Sequence, residues 1–525
     1  MLHLNSEGAT PARRGAVFIA LGIFLSRIAG LVRSRVQAHF LGSSDTADAL
    51  FAAFRIPNLL QNLFGEGALS ASFIPAYAAL HAKDPKRADQ LAGAVAAALA
   101  LGVSVLVVVG VLGTPWLVDL VAPGFEGAKR ELVVRLVRIL FPGIGLLVLS
   151  AWCLGVLNTH RRFFLSYAAP VLWNGAVIVA LIYGGIKVGG DEVAVWAAWG
   201  SVAGSLLQLL VQIPTVLKVA PELTHRHAGV GAEVRDVFRN AVPAVMSRGV
   251  GQVSAYIDTL LASLLGTGAV ADLSYAQTLY LLPVSLFGMS VSAAELPAMA
   301  REGGGADPAA LRTRIDAGLR RIAFFVIPSA AAMLLLGDVI AATIYQSGRF
   351  GADDALHVWA VLGGSAVGLL AATQGRLYNS AFYALGDPRT PLRFALIRVV
   401  LTTILGTLAA LYGPGLLHID QRWGTAGLTA TAGSAAWIEF LLLQRAMNAR
   451  IGHTGLSGRE LGRLWLAAGF GGALGILAYR PLLDAGPIFT GICVLAAFGA
   501  GYLLAAAGLK IPQLDSISRR FKLRS

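Results

Sequence analysis

Three arginines lie within a stretch that is otherwise typical of a membrane helix. The segment FLSRIAGLVRSR at residues 24–35 carries Arg27, Arg33 and Arg35 directly after the apolar run GAVFIALGI. An uncompensated charge at the bilayer centre costs about 2.5–3.5 kcal/mol, so intramembrane arginines usually face a watery cavity or a partner. The planar guanidinium group donates two parallel hydrogen bonds and suits phosphate. The stretch therefore predicts a cationic, anion-binding wall inside a membrane protein.

Other charged residues in apolar segments allow a structural explanation as well. Asp48 and Asp272 lie near the ends of predicted helices, where a carboxylate also stabilises the N-terminus by about 0.3–1 kcal/mol. Arg248 and Asp258 are close enough in sequence to form a structural pair. For Arg27 and Arg33, which lie deeper in the first helix, binding is the favoured interpretation.

Composition indicates a polytopic α-helical membrane protein. The chain has 525 residues, of which 56% are hydrophobic and only 14% charged, and its mean hydropathy is +0.68. Soluble proteins carry nearer 25% charged residues, and apolar stretches of about 20 residues span a bilayer. We predict about fourteen transmembrane helices between residues 16 and 508, the first of them retained rather than cleaved as a signal peptide. The two cysteines lie in apolar segments and give no argument for a disulfide.

The basic residues alternate between successive loops. One set of loops and tails carries 27 of the 42 Lys and Arg residues, including KDPKR at 83–87 and RRFKLR at 519–524, whereas the opposite set carries six. The positive-inside rule places the rich set, and both termini, in the cytoplasm. The net charge of +13 is thus explained by topology, and no nucleic-acid partner is expected.

The two halves of the chain resemble each other. LGSSDTAD at 41–48 matches LGTGAVAD at 265–272, and LFGEGALSASFIPAYA at 63–78 matches LFGMSVSAAELPAMA at 286–300. Six helices in each half give both halves the same orientation in the membrane, which is the parallel-repeat arrangement of alternating-access transporters. A static scaffold grown by duplication is the alternative. The proline- and glycine-rich stretch at 55–75 predicts a broken helix, which is tolerated at membrane depth where it lines a cavity.

The order of these motifs resembles the MurJ (MviN) family of lipid II flippases. SRIAGLVRSRVQAHFLGSSDTADALFAAFRIPNLLQNLFGEGALSASFIP is similar to its signature, and IYQSGRFGADD and AFYALGDPRTP resemble further blocks. The resemblance implies two six-helix lobes around a central cationic cavity, a lipid-tail groove between the last two helices, and lipid II as the substrate. The expected boundaries are a cytoplasmic N-terminus at 1–15, an N-lobe at 16–220, a C-lobe at 221–450, helices thirteen and fourteen at 451–508, and a basic cytoplasmic tail at 509–525.

The resemblance also assigns candidate substrate-binding residues and shows where this chain departs from the pattern. Arg27 and Arg33 match the first-helix arginines that are thought to bind the pyrophosphate. Gln61 and Thr278 stand where arginines are common in the family, and Arg248 and Arg376 are the candidate substitutes in the second lobe. The predicted substrate-binding set is Arg27, Arg33, Asp48, Asn58, Gln61, Glu66, Arg248, Thr278 and Arg376.

Because of these departures, the transported substrate could also be a compound other than lipid II. We do not expect the protein to be an enzyme. A paralogous exporter of another polyprenyl-linked oligosaccharide, or of amphipathic small molecules, is the alternative to a lipid II flippase. We find no nucleotide-binding loop and no acidic or histidine cluster with metal-ligand spacing. We therefore expect no catalytic residues, no metal site and no cofactor, coupling to an unidentified ion or to the membrane potential, and a monomer in the bacterial cytoplasmic membrane.

Overall fold

Helices dominate the part of the chain that the computed structural model describes. It covers residues 11–63, 69, 72–224, 230–292, 295–296, 299, 308–482 and 485–514, with the backbone alone described for 11–20, 163, 224 and 243–254. Contacts divide the chain into two compact units, Met1–Ser263 and Leu264–Ser525. The sequence predicts a lobe boundary at 220/221, and that boundary stays a prediction.

The first unit contains eight described α-helices. A 3₁₀ turn at Pro221–Thr224 precedes the last of them. The helices are α1 (Pro11–Leu41), α2 (Asp45–Leu60), α3 (Phe73–His81), α4 (Pro85–Val121), α5 (Gly127–Thr159), α6 (Phe163–Lys187), α7 (Glu192–Val219) and α8 (Gly231–Ser263).

The second unit contains ten described α-helices. One short 3₁₀ turn, Gln421–Trp423, precedes α16, and another, Arg480–Leu482, follows α17. The helices are α9 (Ala269–Pro283), α10 (Pro308–Leu335), α11 (Gly337–Tyr345), α12 (Ala352–Val367), α13 (Leu369–Ala384), α14 (Arg389–Leu411), α15 (Gly413–Leu417), α16 (Gly424–Ile451), α17 (Gly458–Tyr479) and α18 (Pro487–Gly508).

Nine helices in the described residues are long and apolar enough to cross a membrane, or ten if α12 and α13 form one span bent by 44°. The prediction of an all-helical, multi-span membrane protein is confirmed. Helices α2 and α9 have only 16 and 15 residues, which is shorter than the roughly 20 that a straight span needs. The count of fourteen spans therefore stays a prediction.

Regular α-helix ends within the stretch where the sequence predicts a broken second span, and the second unit has a similar feature. Helix α2 contains Pro57 and leads into a π-turn at 61–63, and α3 begins at Phe73. Helix α9 ends at Pro283 and continues as a π-helix over Val284–Met289. Proline removes one backbone donor and blocks the regular i to i−4 bond, and π-turns often lie at functional sites.

Close backbone approach through glycine sets two of the helix crossings. A Cβ atom at Gly204 of α7 would lie 2.9 Å from the Trp173 backbone of α6. In the second unit a Cβ atom at Gly368 would lie 2.4 Å from the Cα atom of Gly433 on α16. Small residues at such positions let membrane helices approach closely, and the first crossing holds Trp173 in place.

Contacts bring together the helix ends that the charge pattern assigns to the basic side. The rings of His81 and His160 lie 4.6 Å apart, and Arg87 forms an ion pair with Glu233. The loops after α3, after α5 and before α8 are therefore neighbours in the first unit.

The opposite helix ends of this unit also meet. Lys129 Nζ lies 2.7 Å from carboxylate oxygens of both Asp45 and Asp48, and the hydroxyl of Thr46 donates to Asp191. The alternation of loops that the sequence predicts is thus matched by the contacts within the first unit.

Candidate functional site

The two arginines of α1 that the sequence singles out differ in their surroundings. Arg27 is exposed, whereas Arg33 is half-buried. The guanidinium carbon of Arg33 lies 4.8 Å from the centre of the Trp173 ring. A guanidinium group within about 6 Å of an indole is attracted to the negative face of the ring. This contact orients Arg33, while Arg27 remains accessible on the helix surface.

Trp173 of α6 is itself held by two other helices. Its indole Nε1 donates to Ser201 Oγ of α7 at 3.1 Å, and Phe54 of α2 meets the ring edge-on with centroids 6.3 Å apart. Gly204 lets α7 approach the Trp173 backbone. The platform under Arg33 therefore depends on α2, α6 and α7 together.

The predicted residues of the second span are spread along the broken helix. Asp48 is fully buried in the first turn of α2, whereas Asn58 is exposed in the last turn. Ten residues of α-helix separate them by about 15 Å. Gln61 is half-buried in the π-turn, and Glu66 lies outside the described residues. Among the members of this set that the structure describes, Asn58 and Gln61 adjoin the π-turn.

Asp48 has a structural environment. Lys129 Nζ lies 2.7 Å from its carboxylate, and the N-terminus of α2 is capped by the Ser44 side chain, which accepts from Ala47 N. The helix dipole and the ammonium group both favour the ionised carboxylate. A substrate contact by Asp48 stays a prediction.

The second unit contains a matching pair at the equivalent sequence position. Asp272 is fully buried in the first turn of α9 and accepts two bonds from Arg422, at 2.7 and 3.1 Å. Arg422 also reaches Asp354 at 3.3 Å. Asp48 and Asp272 are therefore both buried helix-terminal carboxylates with a cation from another element.

The predicted second-unit residues lie on two helices. The hydroxyl of Thr278 donates to the Ser274 carbonyl of its own helix at 3.0 Å. Arg376 is exposed on α13. Helix α13, which carries Arg376, packs against the π-helical continuation of α9, where a Cβ atom at Gly288 would lie 3.0 Å from Thr373 Cγ2.

The remaining intramembrane charges have partners of several kinds. Arg398 lies 3.1 Å from Glu439. Glu295, which lies within the repeat segment 286–300, pairs with Arg314 and Arg321 of α10 at 3.0 and 3.5 Å. The side chain of Arg248 lies outside the described residues, so its predicted roles, including a pair with Asp258, stay untested.

A cluster that the sequence does not reveal lies at the basic end of the first unit. His81, Asp89 and His160 each offer a ligand atom, and these atoms all lie within 4.8 Å of one another. Tyr77 contacts Asp89 Oδ1 at 3.2 Å and His160 Nε2 at 2.9 Å. Burial lowers the pKa of His160, as do the neighbouring His81 and Arg162, while Asp89 acts in the opposite direction. Neutral imidazole is the form that binds metals.

Comparison with known proteins identifies the family. The family model described as lipid II flippase MurJ matches residues 37–473. The lipid II flippase MurJ of Burkholderia cenocepacia is 35% identical over 431 residues, which cover 80% of each chain. A probable lipid II flippase MurJ of Rhizobium meliloti is 31% identical over 522 residues, covering 95% of this chain and 94% of the relative.

Solved structures show the same fold. A lipid II flippase MurJ in an inward closed conformation superposes with a TM-score of 0.77 at 23% identity, covering 94% of this chain and 98% of that one. An inward-facing multidrug resistance MATE transporter of the MOP superfamily gives a TM-score of 0.68 at 18% identity. The family model and the two relatives cover most of the chain, and we conclude that it belongs to the MurJ family of lipid II flippases.

Proposed function

We propose that this protein is a lipid II flippase. It moves the undecaprenyl-pyrophosphate-linked peptidoglycan precursor from the inner to the outer leaflet of the bacterial cytoplasmic membrane. The observation that carries this proposal is the family match over residues 37–473. The two relatives are named as a lipid II flippase and a probable one, and their sequences align with most of this chain.

The arginines of α1 are the proposed pyrophosphate contacts. Arg27 is exposed and Arg33 lies over the Trp173 ring, so one guanidinium group is accessible and the other is oriented in advance. A cation that is already oriented loses less side-chain entropy when an anion binds. The guanidinium fork also bonds two oxygens of one phosphate group at once. Both features support a phosphate-binding role on the same helix.

The proposed transport cycle depends on the number of helices, their arrangement in two lobes and their orientation in the membrane. Fourteen helices form two parallel six-helix lobes, and the lobes rock around a central cavity to give alternating access. Helices α17 and α18 supply the groove for the polyprenyl tail. Both termini lie in the cytoplasm, and the membrane potential or an ion gradient drives the cycle, since a potential of 100 mV supplies about 2.3 kcal/mol per charge.

Complementation is the first test of the proposed function. The resident lipid II flippase of a bacterium is depleted while this chain is expressed, and growth and cell shape are followed. We expect rescue by the wild-type chain. Failure to rescue, with a correctly inserted protein at the same level, contradicts the lipid II assignment.

Flipping in proteoliposomes tests the arginines with a matched control. Arg27→Ala and Arg33→Ala should each slow the flipping of a lipid-linked substrate, whereas Arg35→Ala, on the same helix and outside the family pattern, should be tolerated better. Arg33→Lys should restore the rate in part, because a point charge lacks the bidentate fork. Wild-type rates for both alanine variants would show that the pyrophosphate site lies elsewhere.

A further inference from the structure

We propose that His81, Asp89 and His160 form a binding site for a divalent transition metal, with Zn²⁺ as the preferred ion. The site lies at the basic end of the first unit, outside the candidate substrate-binding residues. The three residues come from the end of α3, the second turn of α4 and the C-cap of α5. They are separated by 8 and 71 positions in the chain, which explains why no ligand spacing is visible in the sequence.

The geometry is close to that of a bound metal. The three ligand atoms lie within 4.8 Å of one another. Ligands at 2.0–2.2 Å around tetrahedral Zn²⁺ lie about 3.3–3.6 Å apart, so the side chains must move together by only about 1 Å. His81 is at the last position of α3 and His160 caps α5, where a ring can rotate with little effect on a helix interior.

The chemistry of the cluster fits a soft to borderline cation. Two imidazoles and one carboxylate are a common zinc ligand set, with a water or substrate in the fourth position. The same set also suits other first-row metals, whereas Ca²⁺ and Mg²⁺ prefer oxygen ligands alone. We therefore expect discrimination between zinc and the alkaline-earth ions.

The buried carboxylate of Asp89 favours the binding of a cation. Asp89 is only 4% exposed, and it accepts hydrogen bonds from two neutral groups, the Tyr77 hydroxyl and the backbone N–H of Glu222. A buried carboxylate needs a compensating charge. His81 Nδ1 is buried with no hydrogen-bond partner in the described part of the chain, and a metal ion would coordinate the lone pair of this nitrogen. The exposed Arg161 and Arg162 nearby oppose a cation, but water and salt screen their charges.

Tyr77 is the proposed positioning residue of this site. It is fully buried, and its hydroxyl contacts both Asp89 and His160. Groups that hold metal ligands in this way typically change affinity by about 10–100-fold when removed. A bound ion would tie α3, the second piece of the broken helix, to α4 and α5. A bound ion would thus stabilise the position of α3 relative to α4 and α5.

Metal content is the direct test. The full chain is purified in detergent, stripped with EDTA, incubated with excess Zn²⁺, desalted and analysed by elemental mass spectrometry. We expect about one zinc ion per chain in the wild type. We expect none in His81→Ala, Asp89→Asn or His160→Ala, and zinc retention in the control His453→Ala, which removes an exposed histidine from another loop. Tyr77→Phe should bind with affinity lowered about 10–100-fold.

Two further measurements keep the test independent of whether the variants fold. Cobalt added to the wild type should give visible d–d absorption that Zn²⁺ abolishes. Zn²⁺ should also raise the unfolding temperature of the wild type, since a ligand that binds only the folded state stabilises it, whereas Mg²⁺ should not. A wild type that takes up no zinc overturns the proposal, as does unchanged zinc content in folded His160→Ala. Stabilisation by acid but not by Zn²⁺ would instead show that a protonated histidine balances Asp89.

Discussion

Lys129 Nζ lies 2.7 Å from Oδ2 of Asp48, a carboxylate with no solvent exposure, and 2.7 Å from Oδ1 of Asp45, whose side chain is 57% exposed. One ammonium group therefore bridges a buried and an exposed acid in the same helical turn. Removing one member of a buried ion pair leaves an uncompensated charge, whereas exposed pairs contribute little. The two acids thus provide a matched comparison.

Asp48→Asn should destabilise the protein much more than Asp45→Asn. We expect a loss of about 3–5 kcal/mol for Asp48→Asn and at most about 1 kcal/mol for Asp45→Asn. Chemical denaturation in detergent measures both. If both substitutions lower the free energy of unfolding equally, the buried pair of Asp48 with Lys129 contributes no more to stability than the exposed pair.

Arg422→Lys should weaken the corresponding pair in the second unit. Arg422 donates two bonds to Asp272 and reaches Asp354 as well. A lysine retains the charge but loses the fork, so we expect an unfolding free energy lower by about 1–3 kcal/mol. Lys129→Arg in the first unit is the control and should be close to neutral. If Arg422→Lys matches the wild type, the bidentate geometry is not important for stability.

Arg33 and Trp173 should be energetically coupled. A double-mutant cycle with Arg33→Met and Trp173→Leu isolates the contact, and we expect a coupling energy of about 0.5–2 kcal/mol in thermal or chemical unfolding. Arg27→Met combined with Trp173→Leu is the control and should be additive. Additivity in both cycles would show that the platform does not hold Arg33.

Acid should remove a contribution to stability from Asp387, which lies in the loop before α14. Hydrogen bonds from Thr390 and Arg450 hold the pKa of this carboxyl below its usual value. A group whose pKa is lower in the folded state stabilises the fold above its unfolded pKa of about 3.9, and this contribution disappears as the pH falls below that value. Unfolding curves between pH 3 and 7 should therefore show a smaller acid-induced loss for Asp387→Asn than for the wild type. If the stability of Asp387→Asn and of the wild type falls equally between pH 7 and pH 3, Asp387 is not the source of this pH dependence.

Cysteine labelling from outside intact cells tests the orientation. A cysteine at Lys83 should be protected and one at Arg349 should react, since the basic loops are predicted to be cytoplasmic. The native Cys153 is buried and Cys493 half-buried, and both are first replaced by serine. Labelling at position 83 together with protection at 349 would reverse the topology.

The sequence alone determined the properties that depend on local pattern. Hydropathy indicated a helical membrane protein because each span must be apolar over about 20 residues. The loop charges predicted which helix ends lie together, and the contacts within the first unit agree. Proline and glycine near residue 57 predicted the end of regular α-helix in the second span, because proline removes a backbone hydrogen bond at its own position. The ordered motifs also identified the family.

Only the tertiary structure decided which side chains meet. Asp48 lies beside Lys129, which is 81 positions away in the chain, and the sequence pattern gives no sign of this pair. Arg33 meets Trp173 because α1 packs closely along α6, for example where Gly22 approaches Tyr167. His81, Asp89 and His160 come together through the packing of three helix ends. Such contacts depend on helix crossings and side-chain directions, which arise from the packing of distant segments and leave no spacing signal along the chain.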